Sequence, residues 1–511
     1  MSSTVTLREG KLNLRQRNRV TEGHACPSSA DSSPVAHGVG GLHGTKWFLL
    51  AGASTLHGWQ ETKMVEKNLA SALRGVVLRG PRHSTVVSAL ALAAALNWAA
   101  TAQAGNTYVV STALDPTGPA NSLSLREAIT AANIAEGNTI QFDPALAGST
   151  ITLATGEIQI SHSMNIVGPG AGKLAISGGD ASRIFYLSCA NTTQHVSISG
   201  LTLRNGSTTG YGGAISSKRC YLDLSGANIS ASHAKGGGGV SFNNGRIAHT
   251  VVSTCNADAG GGGVLEVMGE GPQSIEYSTI SSNHAGGFGG GVAILFTGSS
   301  VIRRSTIDNN FVPPPQTAVT GLGGGAIAVT NAGLKLYFST ITNNHSYKAG
   351  GGISIADSGA ADAAMVYRST ITSNYSNMTE GNGLYAHAGR PTVTASIIAD
   401  NFNKYGGTDL SGYFLLLHSL VQNPGSATIV GMGSIFGVDA HLGELAVNGG
   451  VTQTRLPFAA SLAVDGFPGC GPNPGVDQRG VASCVNGKMD IGAVERQSPE
   501  VIIFRDGFDS G

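Results

Sequence analysis

The chain has 511 residues, with 31 basic and 31 acidic side chains and a formal charge of zero. That balance argues against a nucleic-acid binder, which carries a basic stripe. Charged residues make up only 12%, glycine numbers 74, and no Gly-x-y period runs through the chain. Collagen and highly charged disorder are thereby excluded, and a β-rich, turn-rich chain remains.

Residues 1–63 lack any sustained apolar period and read as an irregular extension, with Met64 as the expected true start. Residues 64–104 read as a signal peptide. Lys67, Arg74, Arg79 and Arg82 supply the basic region, Val86 to Leu96 the apolar run, and Ala102-Gln103-Ala104 the cleavage site. The run is too short to span a membrane, and no later segment reaches 18 apolar residues. The mature chain is therefore expected to have no transmembrane helix and to be secreted or bound at the cell surface. Export permits disulfides. Cys470 and Cys484 flank a Pro/Gly-rich loop and are the expected pair. Cys189 can pair with Cys220 between neighbouring coils, which leaves Cys255 over. No C-x-x-C spacing occurs, so neither a structural metal nor a cofactor is expected.

Residues 105–199 are assigned to an N-terminal cap and the first coils. Ser124-Leu125-Arg126-Glu127 has the form of a capping box, opening a short helix with Leu125, Ala128, Ile129 and Ala132 on one face.

Residues 200–440 repeat. A glycine cluster ends in an apolar residue at Ile215, Val240, Val264, Val292, Ile327, Ile353 and Leu384. A Ser-Thr-Ile triplet is followed three residues later by Asn, giving Asn283, Asn310, Asn344 and Asn374. Ser396-Ile397-Ile398 with Asn401 is a variant. A third apolar point precedes the last Ile of each triplet by five residues: Ile275, Ile302, Leu336, Val366 and Val393. Short β-prone runs between glycine turns predict a right-handed parallel β-helix. The five-residue spacing is odd, so a bend must lie near the Ser-Thr. The Asn residues are expected to form a structural ladder, with Ser232 and Cys255 in their place in the early coils.

The next position is His233, His284, Phe311, His345, Tyr375 and Phe402. The three histidines recur every second coil, about 9–10 Å apart, too far to share a metal. A stacked planar column is expected instead. Glu266 falls at an inward position, and a local register flip turning Leu265 and Val267 inward would spare a buried carboxylate.

Acids in the coils are few and differ in motif position. The candidate catalytic residues are therefore limited to Glu266, Glu276, Arg303 and Arg304, with a surface salt bridge as the simpler reading of the last three. Asp308 is expected to face solvent. Asn310 and Ile327 are 17 residues apart, where other coils use 8–10, so Val312, Pro313, Pro314 and Pro315 are expected to open a projecting loop that can contact a partner.

Residues 441–497 form a C-terminal module and 498–511 a tail. Asp477, Arg479, Asp490 and Glu495 in the module are expected to form structural salt bridges, because acid and base alternate there, with a binding or catalytic patch as the alternative. Residues Asn121 to Ile129 resemble the segment that names the CSLREA-domain family, with Leu123 where that family has Cys. Asn448-Gly449-Gly450, Asp477-Gln478-Arg479-Gly480 and Asp490 to Glu495 resemble the choice-of-anchor Q domain. The glycine-apolar repeats are similar to those of polymorphic outer-membrane proteins. These resemblances imply an exported, surface-associated β-helix and bring no activity with them. The expected role is structural, adhesive or glycan-binding, toward an extracellular polysaccharide or another cell-surface ligand. The alternative is a polysaccharide lyase or glycoside hydrolase, which needs acids gathered on an exposed face.

Overall fold

The computed structural model describes residues 105–269, 271–314, 323–356, 364–379, 381–470 and 474–497. The expected signal peptide, the N-terminal extension, Pro315 and the tail lie outside these residues.

The described chain is a parallel β-helix. Each coil contributes short strands to long parallel sheets, and the interior is a stack of identical apolar positions. The first sheet has thirteen strands, from Thr107–Val110 to Thr428–Met432. The second has twelve, from Thr150–Thr152 to Ile435–Phe436, and the fourth ten, from Ile158–Ile160 to Leu410–Ser411. Between the second and the fourth lies a feature the three-point repeat did not contain. It is a third sheet of six two-residue strands, from His233–Ala234 to Tyr375–Ser376.

Register is set residue by residue. Ile280, Ile307, Ile341, Ile371 and Ile398 align across successive coils, and all are fully buried. Burial of each such side chain is worth about 1.5–3 kcal/mol. A slip by one residue would turn that whole column to solvent, so the pattern specifies the stacking.

The predicted bend precedes each Ser of the repeat. Tyr277, Arg304, Phe338, Arg368 and Ala395 all have φ between 45° and 49°. A second left-handed residue precedes each ladder Asn: Ser282, Asn309, Asn343, Ser373 and Asp400, with φ of 54–57°. The ladder Asn itself is therefore not the strained residue. It follows the strained one and points inward.

At the N-terminal end the helix α1 (Leu125–Ala132) packs on the first strands. Its capping box is complete: Ser124 Oγ accepts from Glu127 N–H, and Ser124 N–H donates to the Glu127 carboxylate at 2.9 Å. Leu125, Ala128, Ile129 and Ala132 are its buried face. Two disulfides, Cys189–Cys220 and Cys470–Cys484, are present, and Cys255 is free and buried. Among the described residues no helix is long and apolar enough to cross a membrane.

Candidate functional site

The candidate catalytic residues do not converge. Glu276 and Arg303 form an ion pair at 3.0 Å on the outer side of the first sheet. Arg304 does not join them. Its left-handed backbone swings the side chain around the bend, where its guanidinium lies 5.5 Å from the Tyr277 ring and 5.3 Å from Phe338. There it donates to the carbonyls of Val476 and Asp477, both at 3.0 Å.

Two coils on from Arg304, Arg368 lies 5.5 Å from Phe338 and pairs with Glu495 at 3.0 Å, both partners fully buried. These two arginines clamp the C-terminal module onto the second sheet. Under it, Thr306 donates to the Gln453 carbonyl, Thr340 to Gln478 Oε1 at 2.7 Å, and Thr370 Oγ1 accepts from Ala493 N–H at 3.1 Å. The second-sheet face of these coils is thus covered by protein. Within the module Asp477 pairs with Arg479 at 3.0 Å and accepts from Glu495 N–H at 3.0 Å. The module's acids and bases hold one another and the solenoid.

Glu266 departs from expectation. No register flip occurs: it aligns with Phe242 below and Ile294 above, and points into the core with no exposed surface. Ser300 donates to one carboxyl oxygen, and the other has no partner. Parallel pairing on both sides holds the register, so the cost of the carboxylate falls on its ionisation. Burial pushes its pKa up to about 7. It lies inside the wall, whereas Glu276 and Arg303 lie outside it, so the two acids cannot act on one substrate.

Asp308 is half-buried, not solvent-facing. It accepts from Asn343 Nδ2 at 2.9 Å, and Arg455 of the module stands near. Val312 also departs from expectation. It is a fully buried wall residue of the third sheet, paired with Ser346, because apolar or small residues stack inward at that position. Any projection starts at Pro313.

The asparagine ladder is continuous. Asn283, Asn310, Asn344 and Asn374 each donate Nδ2–H to the Oδ1 of the next, at 2.9–3.0 Å. Asn401 passes its own to Asp409 Oδ1 at 2.8 Å, and Asp409 also accepts from Asn423 N–H at 2.7 Å. Asp409 ends the series with an acceptor-only group, and burial pushes its pKa up to about 7. Cys255 N–H donates to Asn283 Oδ1 at the other end. A parallel hydroxyl ladder runs through Ser278, Ser305, Ser339, Ser369, Ser396 and Ser419, each accepting the backbone N–H of the one before.

The outer side of the third sheet is open to solvent. His284, Phe311, His345, Tyr375 and Phe402 form one column there, all partly exposed and Phe402 45% exposed. Successive ring centroids are 5.5, 5.0, 4.4 and 5.4 Å apart. The last three pairs meet at 67°, 81° and 71°, so the column is edge-to-face, not the expected planar stack. Ring quadrupoles favour that arrangement. Tyr347 stacks beside His345 at 5.0 Å and widens the column. Burial pushes the His284 and His345 imidazoles below the usual histidine range, so both are neutral rings at pH 7. Among the described residues no three His, Cys, Asp or Glu side chains are gathered to hold a metal.

No family model and no curated protein matches the chain. Among solved structures it is similar to pectate lyase Pel9A, at 15% identity and a TM-score of 0.48, over 77% of this chain and 98% of that one. It is also similar to PL6 family alginate lyase AlyGC, at 13% identity and a TM-score of 0.35, over 69% of this chain and 55% of that one. These comparisons add nothing to the motif resemblances at either end or in the repeats, and the likeness is one of fold, which does not carry an activity.

Proposed function

We propose that the protein is an exported, surface-associated β-helix that binds an extracellular polysaccharide along the ring column of its third sheet. The observation that carries this reading is the column itself: five partly exposed, uncharged aromatic rings in unbroken contact over five successive coils. A half-exposed ring row leaves apolar faces in water without filling a core, and the apolar C–H faces of sugar rings can cover them. The coil repeat sets the rings about 4.8 Å apart, which suits an extended, repeating ligand better than a compact one. Binding is favoured over bond cleavage because Glu266 points inward, Glu276 is tied to Arg303, and Arg304 serves the module.

The test is a polysaccharide and glycan binding screen on the full chain, run with a depolymerisation assay. Binding is expected, with no depolymerisation. Tyr375→Ala and Phe402→Ala should each weaken binding about tenfold, the equivalent of about 1.4 kcal/mol, at unchanged melting temperature. Product formation from any bound polysaccharide would replace this reading with the lyase or hydrolase one. Unchanged affinity in both variants would remove the column from it.

A further inference from the structure

A second feature lies where each coil passes from the fourth sheet to the first. The links of four successive coils enclose a cleft of about 400 Å³. Its lining carries the cations Lys218 and Arg219, the amides Asn191, Asn243 and Asn244, and the thioether of Met268. No acid lines it. Lys218 and Arg219 are adjacent and exposed, and among the described residues neither is held in an ion pair.

Asn244 is the most informative of these residues. It is 5% exposed, and its Oδ1 has no hydrogen-bond partner. A buried acceptor left unpaired is unfavourable unless something donates to it. Among the described residues the cleft therefore lacks an anion for its two cations, and the buried amide oxygen of Asn244 beneath it lacks a donor. Met268, 65% exposed, offers an apolar surface at the rim. One small group supplies all three needs, a sugar ring bearing an acidic substituent. Its carboxylate or sulfate meets Lys218 and Arg219, its hydroxyls meet the three amides, and its C–H face covers Met268.

We propose that this cleft is a binding site for an anionic sugar residue, so that the polysaccharide recognised is an acidic one. The proposal rests on the polysaccharide-binding reading above, but it concerns different residues on a different part of the wall.

The experiment measures the affinity of the full chain for three oligosaccharides of equal length: one of uronate units, one sulfated, and one neutral. The same series is run on the Lys218→Gln/Arg219→Gln variant and on Asn244→Leu. The wild type is expected to prefer one of the two anionic ligands at least tenfold over the neutral one, and that preference identifies the carboxylate or the sulfate as the group recognised. The double variant should abolish the preference while keeping the neutral-ligand affinity, because the ring column is untouched. Asn244→Leu should weaken the anionic ligand several-fold with no change in its salt dependence. Equal affinity for all three ligands, or a preference that survives the double variant, would overturn the proposal and leave the ring-column reading standing. Absence of binding to any of the three would overturn both.

Discussion

At the scale of single residues, the interior of this β-helix holds polar groups under two different rules. A ladder Asn is fully satisfied. Asn344 donates to Ile307, Thr342 and Asn374 oxygens and accepts two N–H groups from Asn310. Removing it strands several buried groups at once, each worth about 1–3 kcal/mol. Asn344→Ala is therefore expected to lower stability by at least about 2 kcal/mol in chemical denaturation, and an unchanged midpoint would show that the ladder is ornamental.

Glu266 follows the opposite rule, with one oxygen unpartnered. Its folded-state pKa, about 7, lies above the ordinary value of 4.5. Between those two values the folded state holds more protons than the unfolded one. The protonated acid therefore contributes stability that is fully present below pH 4.5 and lost as pH rises to about 7. A shift of that size is worth roughly 3 kcal/mol. Glu266→Gln keeps the bond with Ser300 and cannot ionise, so it should stabilise the protein at pH 8 and leave it unchanged at pH 4. Equal stability of the two proteins across that range would mean that the carboxyl reaches solvent.

At the scale of elements, the bend between the first and second sheets does two jobs. It resolves the odd spacing of the repeat, and it throws Tyr277, Arg304, Phe338 and Arg368 into a cation–π row outside the wall. The module is held there by charge. Arg368 is fully buried against Glu495, so replacing it with Met leaves a buried carboxylate without its cation, a loss of about 3–5 kcal/mol. Limited proteolysis of Arg368→Met should release the module region first. Arg368→Met combined with Glu495→Gln should recover much of the loss. Protection equal to wild type in the single variant would mean that the module is held by other contacts.

The repeat elements were legible because each coil restates them. Ser-Thr-Ile-x-x-Asn recurs, and its Asn, Ser and Ile align in the structure as their spacing implies. Features that occur once were not legible. Asp409 ends the ladder eight residues after Asn401, outside the motif, so nothing in the repeat marks it. The coverage of Thr306 and Thr340 by Gln478 joins residues far apart in sequence, and no local pattern records such a contact. Glu266 was misassigned because a register flip is cheap for an isolated strand. It is not cheap for one paired on both sides, which must keep the register of its neighbours.

At the scale of the whole molecule, the solenoid converts a sequence repeat into surfaces of constant spacing. Its second-sheet face carries the C-terminal module, while the ring column remains accessible along its length. From His284 to Phe402 the column takes four coil steps, roughly 19 Å at about 4.8 Å per step. A ligand that follows it must be extended and must meet several rings in turn. The most direct measurement is the affinity of the full chain for a length series of oligosaccharides cut from whichever polysaccharide it binds. The account predicts that affinity rises with each added sugar until the ligand spans about 19 Å, then levels off, and that Tyr375→Ala shortens the useful length. Affinity that is complete with a single sugar, and is indifferent to Tyr375→Ala, would contradict it.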